Sequence, residues 1–190
     1  KNADGTLSVP VIDKTNAKQL ISSIKRPENM LWECKSTIYS SSGSLTRLAV
    51  YKKSGKRFRV DVKEADGSLK QTVIYNGGKI YSKLYPGGTR TTSYSNQYEP
   101  EALMGIPDLN FFLQSSDKNF TLAELRQFNG ESVIYIEYEM PEVGMTEKYY
   151  ISLYYGVVLK AEAYDGARLV YSAETTGLAK EKPNEAVFSL

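Results

Sequence analysis

Residues 57–63 read RFRVDVK, and apolar and charged side chains alternate at every position of this stretch. Phe58, Val60 and Val62 fall on one side of an extended chain, and the four charged residues fall on the other. Strict alternation is typical of a strand that buries one face and exposes the other. The stretch therefore predicts a half-buried strand of an antiparallel sheet.

Turn sequences divide the rest of the chain at intervals of about ten residues, the spacing of an antiparallel meander. Before residue 90 they are Ser42-Gly43, Ser54-Gly55, Asp66-Gly67, Asn76-Gly77-Gly78 and Pro86-Gly87-Gly88. After Asn129-Gly130, strand-like runs return at 132–140, 148–155, 157–164 and 168–174. We predict about nine strands in one sheet.

Two segments have helical character. Ala17, Leu20, Ile21 and Ile24 recur at i, i+3, i+4 and i+7, which predicts an amphipathic helix of about three turns that ends near Pro27. Residues 93–118 break the strand rhythm, and Asp108 is placed as the N-cap of a short helix that carries Leu109, Phe112 and Leu113 on one side.

These elements predict a mainly β (α+β) chain. Helices are too few to cover both faces of a parallel sheet, so we expect an antiparallel sheet that curls around the helices as an open barrel. Residues 13–190 form a single domain in this prediction, and residues 1–12 form a polar tether.

Composition excludes several classes of function. The 190 residues include 24 basic and 22 acidic ones, so no broad positive field is available for nucleic acid. Histidine is absent, and Cys34 is the one cysteine, predicted to be a small buried hydrophobe. Phosphate-binding glycine motifs are absent as well. We therefore predict no metal, no cofactor and no nucleic-acid partner.

Few patterns suggest catalysis. The segments 22–25 and 115–118 both have Ser-x-x-Lys spacing but lack the accompanying motifs of acyl enzymes. Glu137 and Glu139 share a strand face, where acids are more often simply solvated. Fifteen tyrosines could form a binding surface, although tyrosine also suits half-exposed strand positions. We predict that the protein is not an enzyme.

Three groups of motifs, in order along the chain, resemble the LolA/LolB lipoprotein-carrier superfamily. They are the helix at Ala17–Ile24, the hairpin at 50–60 with the run TVIYNGGKIY at 72–81, and the C-terminal segments 149–151, 156–162 and 184–190. The sequence departs from the family pattern at Ser54, which stands where the first turn usually has proline. Arg59 is the nearest candidate for the family's gate or lid arginine.

The resemblance implies a strongly curved, open antiparallel half-barrel whose helices and insert cover the concave face. It also implies that the protein lies outside the cytoplasm in a bacterial cell envelope. An N-terminal lipid anchor is compatible with this location. Members of the superfamily shield acyl chains in this cavity, or use the scaffold as sensors or as lipoproteins that dock onto another protein.

Two functions stay open at this point. In the first, the concave cavity holds an acyl chain, a lipoprotein or another hydrophobic ligand. In the second, a membrane-anchored lipoprotein docks onto a protein partner while its cavity is filled and vestigial. In either case we expect a monomer, or a dimer that exchanges its N-terminal helix through the hinge at 25–30. The predicted cavity residues are Phe58, Val60, Val62, Val73, Met104, Ile106, Phe111, Phe112 and Leu113.

Overall fold

The computed structural model describes residues 11–95 and 98–189. One antiparallel sheet contains eleven strands in the order β6-β5-β4-β3-β2-β1-β11-β10-β9-β8-β7 and does not close into a barrel, which confirms the mainly β, open fold. The first six strands are β1 (Asn29–Ser40), β2 (Gly43–Ser54), β3 (Arg57–Glu64), β4 (Leu69–Asn76), β5 (Lys79–Leu84) and β6 (Arg90–Tyr94). The others are β7 (Phe120–Phe128), β8 (Glu131–Met140), β9 (Met145–Ser152), β10 (Val158–Asp165) and β11 (Arg168–Ala179).

The sheet has more strands than the nine we expected, and its two ends explain the difference. All five residues of β6 are exposed, so this strand has no alternation of buried and exposed residues to reveal it. In β7 a bulge between Phe120 and Leu122 interrupts the period of two. Both are edge strands.

The helices are shorter than the sequence suggested. α1 (Ala17–Ser23) has seven residues, because Asp13 instead forms a turn in which its carboxylate accepts the backbone N–H groups of Thr15 and Asn16. A four-residue helix, α2 (Glu101–Met104), was not predicted. The helix α3 (Leu109–Gln114) begins as predicted, with the Asp108 carboxylate accepting the Phe111 N–H at 2.9 Å. Two 3₁₀ helices span Asp117–Asn119 and Glu185–Phe188.

The concave face of the sheet carries the core. In the alternation of β3, Phe58, Val60 and Val62 are buried on this face, as predicted. They share one contiguous core with Tyr138 and Tyr149 from the far half of the sheet, which requires the sheet to curve. Cys34 lies in the same core, where burial raises the pKa of its thiol to about 12.

The residues between β6 and β7 fill the concave face. Met104 and Phe112 are fully buried, and the Phe112 ring meets Tyr149 edge-to-face at 4.9 Å between centroids. Phe111 packs against Tyr138 at 5.4 Å. The segment therefore occupies the interior of the open barrel as core, and does not merely cover it.

The C-terminal residues pack against the convex face of β3 and β4. The Arg57 guanidinium pairs with Glu185 at 2.6 Å and lies 5.1 Å from the centroid of the Phe188 ring. Beneath this segment Asp61 is buried, and its carboxylate accepts hydrogen bonds from Arg59 Nε and from Thr72 Oγ1 at 2.7 Å. This packing explains how the convex face of β3 can carry a buried carboxylate.

Most of the predicted tether, residues 1–10, lies outside the described residues. Of the two that are described, Val11 is exposed and Ile12 is buried in the core. Among the helices described for this chain, none has the length and apolar character needed to cross a membrane.

Replacing Phe112 by alanine tests whether the insert is core. We expect Phe112→Ala to lower the free energy of unfolding by about 3–5 kcal/mol, because a fully buried ring leaves a cavity. Urea denaturation followed by tryptophan fluorescence gives the value. Tyr94→Ala is the control, because Tyr94 is 74% exposed, and it should change stability by less than about 0.5 kcal/mol. Equal losses in the two variants would contradict a core role for Phe112.

Candidate functional site

A groove runs along one end of the concave face, where α1 and α3 meet the ends of β2, β3 and β4. It consists of two adjoining clefts of about 330 and 560 Å³ that share the walls Arg26, Tyr98, Glu99, Pro100 and Asn110. Clefts of this size are typical of sites for small molecules. We call the two clefts together the aromatic groove.

One wall of the aromatic groove is a series of rings. Phe58 stacks on Tyr75 at 5.2 Å between centroids and on Tyr98 at 5.7 Å, and Tyr51 lies 5.8 Å from Phe58. Tyr75 and Tyr98 are half-buried, so part of each ring faces the groove. The adjoining cleft, which shares Tyr98 with the cleft that these rings line, is lined by the aliphatic side chains of Ile21, Ile24, Leu109 and Leu113. The groove thus combines rings and aliphatic side chains with polar walls that include Glu99, Asp108 and Asn110.

Cations line the mouth of the aromatic groove. They are Lys53 and Lys56 of the β2–β3 hairpin, whereas the guanidinium of the neighbouring Arg57 pairs with Glu185 on the convex face. Lys53 Nζ donates to the Pro27 carbonyl at 2.5 Å, and burial together with the charge of Arg26 lowers the pKa of Lys53. The arrangement suits a molecule with an apolar body and an anionic end.

A buried ion pair forms the floor between the two clefts. The Glu101 carboxylate is almost wholly buried, and its Oε1 pairs with Arg26 Nη1. Neither carboxylate oxygen has a hydrogen bond of good geometry within the described part of the chain, so Arg26 is its compensating group. Arg26 Nε also donates to the Gly156 carbonyl at 2.8 Å.

Because Gly156 has no side chain, Arg26 can reach the Gly156 carbonyl. Its φ is +65°, and a Cβ placed there would lie 2.9 Å from Ile24 Cγ2 and 3.1 Å from Arg26 Cγ. A larger residue would push the segment after α1 away from the β9–β10 turn. The position of Arg26 therefore depends on a glycine from the other half of the sheet.

The predicted cavity residues divide between the groove and the core. Phe58 and Leu113 line the aromatic groove, and Ile106 lines a separate cleft of about 200 Å³. Phe111 is half-buried against other rings. The remaining residues are buried packing residues: Val60, Val62, Val73, Met104 and Phe112. Tyr75, Tyr98 and Arg26 were missed, although the abundance of tyrosine was a signal for the first two.

Arg59, the predicted gate, lies on the convex face. Its Nε binds both oxygens of Asp61, and its Nη1 donates to the Val187 carbonyl at 3.1 Å. These contacts tie the C-terminal segment to β3, on the side of the sheet opposite Phe58. Its role as a gate stays a prediction.

The separate cleft contains a carboxyl group. Glu147 lies there beside Tyr149, whose hydroxyl donates to Glu147 Oε2. Burial raises the pKa of Glu147 above its ordinary value, and this hydrogen bond opposes the shift. The Tyr171 hydroxyl, also in this cleft, donates to the Gly105 carbonyl and holds the end of α2.

Three of the residues considered for catalysis, Ser22, Ser115 and Glu137, are engaged in structural contacts. Ser22 Oγ donates to the Gln19 carbonyl at 2.7 Å, and Ser115 Oγ donates to the Phe111 carbonyl at 2.6 Å. Glu137 accepts the Tyr135 hydroxyl at 2.6 Å and lies 4.0 Å from Lys148 Nζ. Within residues 11–95 and 98–189, no group of three metal-ligating side chains comes together.

No protein-family model matches this chain, and no curated protein matches it in sequence. Solved structures do match it. An uncharacterized conserved protein from Thermus thermophilus has a TM-score of 0.57 at 10% identity, with 91% of this chain and 92% of that chain covered. Identity at this level shows a likeness of fold.

The MucA/MucB complex of Pseudomonas aeruginosa also matches, with a TM-score of 0.50, 11% identity and 93% of this chain covered. This chain spans 59% of the length of the chain that it matches in that complex. A LolA superfamily protein from Nitrosomonas europaea has a TM-score of 0.41 at 9% identity, covering 94% of this chain and 98% of its own. The structural neighbours thus include the superfamily that the sequence motifs resemble.

A double-mutant cycle tests the ion pair in the floor of the groove. We expect Arg26→Met to cost about 3–5 kcal/mol of unfolding free energy, because it leaves the Glu101 carboxylate buried without compensation. Arg26→Met/Glu101→Met should be more stable than Arg26→Met alone, since the second change removes that charge. Urea denaturation of the four proteins measures the coupling, and strictly additive losses would contradict it.

The pH dependence of Glu147→Gln tests the buried carboxyl. A carboxyl whose pKa is raised by folding contributes full stability below its ordinary pKa and loses it as pH rises toward the raised value. Glu147→Gln should therefore gain stability relative to the parent protein between about pH 3 and about pH 7. The exposed Glu139→Gln is the control. If the stabilities of the parent and Glu147→Gln varied with pH in parallel, the raised pKa of Glu147 would be contradicted.

Proposed function

We propose that this chain is a non-enzymatic binding protein that holds an apolar or amphiphilic ligand, such as an acyl chain, in the aromatic groove. The observation that carries the proposal is the ring series in which the half-buried Tyr75 and Tyr98 stack on the buried Phe58. Tyr98 also lines the adjoining cleft, whose walls include aliphatic side chains of α1 and α3. Burying apolar ligand surface against such walls contributes about 25 cal/mol per Å².

The site differs in position from the cavity that the sequence suggested. The insert fills the centre of the concave face, so the ligand lies at its end, between the insert and the β2–β3 hairpin. Lys53 and Lys56 would meet an anionic end group at the mouth. The extracytoplasmic location that the sequence resemblance implies stays a prediction, as do the lipid anchor and the helix-swapped dimer.

A second function, docking onto a protein partner, is favoured by a different observation. Residues from the insert that we expected to line a cavity, such as Met104 and Phe112, are fully buried, which matches a scaffold whose interior holds no ligand. MucB, one of the proteins of similar fold, has been solved in complex with MucA. In this case the aromatic groove would be empty in the working protein.

Native mass spectrometry of the protein purified from bacterial cells, followed by lipid extraction, separates the two functions. We expect a retained mass that extracts as a fatty acid or phospholipid, and we expect the pure protein to bind a fluorescent fatty acid. Tyr75→Ala/Tyr98→Ala should weaken this binding about tenfold, since each lost ring removes about 0.5–1.5 kcal/mol of contact.

Tyr154→Ala is the matched control, because Tyr154 is exposed outside the groove and should leave fatty-acid binding unchanged. A protein that carries no extractable lipid and binds no fatty acid would contradict the first function. The second function, docking onto a protein partner, would then stand.

A further inference from the structure

β6 is one end of the sheet, and no other strand within residues 11–95 and 98–189 pairs with its outer side. Leu84 N–H donates to the Thr89 carbonyl and Ser95 N–H donates to the Gly78 carbonyl, each at 3.0 Å. These two bonds identify which backbone groups of β6 point toward β5. Because inward and outward groups alternate along an antiparallel strand, the backbone N–H and C=O of Arg90, Thr92 and Tyr94 point away from β5. This is a row of backbone groups that another strand can pair with.

This end of the sheet is also positively charged. Between residues 67 and 98 the sequence contains Lys70, Lys79, Lys83 and Arg90 and no acidic residue. Lys70 pairs with Glu64 at 2.7 Å. Within the described residues the other three form no ion pair, although Lys79 and Lys83 lie over the rings of Tyr94 and Tyr85.

The three unpaired cations lie on one face. Lys83 is opposite Arg90 in the β5–β6 register, and Lys79 is opposite Tyr94, so all three project from the convex side. On the same side Tyr94 is 74% exposed. The edge therefore combines outward backbone groups of β6, cations of β5 and β6 on one face, and an exposed ring.

From this combination we propose that β6 binds an extended, acidic segment of a partner protein, which adds to the sheet as a further strand. Backbone pairing with Arg90, Thr92 and Tyr94 would supply affinity, and acidic side chains at every second position of the segment would meet Lys79, Lys83 and Arg90. This surface is separate from the aromatic groove, so the proposal does not rest on the proposed ligand.

Two other occupants fit the edge less well. A lipid surface would meet the cations but would leave the outward N–H and C=O groups unpaired, which is costly in an apolar medium. A second copy could offer β7, at the other end of its sheet, but Glu124 of β7 and Glu137 of the neighbouring β8 are already engaged. Glu124 pairs with Arg126, and Glu137 pairs with Lys148 and accepts the Tyr135 hydroxyl.

The experiment uses the whole protein and a peptide of about seven residues, the length that a short strand pairs with, in which glutamate and threonine alternate. NMR spectra of the isotope-labelled protein should show shifts at the amides of β5 and β6. Binding should weaken as salt rises from about 50 mM to about 500 mM, because the charge contacts are exposed. A peptide with lysine in place of glutamate should bind about tenfold more weakly.

Two variants separate the contribution of backbone pairing to peptide binding from the contribution of charge. Thr92→Pro removes an outward N–H and keeps the inward ladder to β5, so it should abolish binding while the protein stays folded. Arg90→Glu should weaken binding about tenfold, whereas Lys35→Glu, the same charge reversal at an exposed site of β1, should not. Fatty-acid binding should be unchanged in all three.

Several results would overturn the proposal. They are the absence of peptide binding, shifts at β7 instead of β6, and peptide binding that survives in Thr92→Pro. Self-association that produces the same shifts without peptide would assign the edge to a second copy. Binding to phosphatidylglycerol vesicles by the parent and Thr92→Pro alike, with no peptide binding, would assign the cations to a lipid surface.

Discussion

The buried ion pair between Arg26 and Glu101 is the interaction on which the arrangement of this protein depends. It joins the segment after α1 to α2, and through the Gly156 carbonyl it also joins the β9–β10 turn. A buried carboxylate is costly without a partner, so the three segments must come together at one geometry. The pairing of Arg26 with Glu101 therefore forms the floor of the aromatic groove.

The way in which the interior is filled determines where a ligand can lie. An open, curved sheet has a concave apolar face that must be covered, and here the insert covers most of it with Met104, Ile106 and Phe112. The insert covers the ends of β2, β3 and β4 less completely, and Tyr75 of β4 and Tyr98 of the insert remain partly exposed there. The groove is the part of the concave face that packing leaves open.

Much of the fold could be predicted from the sequence, because one-sided burial leaves a period of two in strands such as β3. The strand β6 could not be found in this way, since no side of it is buried, and α2 is too short to produce a helical period. The site was predicted only in part. Alternation identifies which side chains point inward, as for Phe58 and Val60, but it does not reveal which of them the insert will touch. Arg26 lies outside any regular element, so its pairing with Glu101 depends on long-range packing that has no local signal.

The order of the strands has a consequence for how the chain folds. β1 lies between β2 and β11, so the sheet consists of two local meanders, β1 to β6 and β7 to β11, whose strands are joined by the pairing of β1 with β11. Each meander is made of contacts between neighbours in sequence, whereas the pairing that joins them closes a loop of well over a hundred residues. Contacts of such long range slow folding. The two halves can therefore form early and separately, and the sheet becomes continuous only after residues 168–179 have been synthesised.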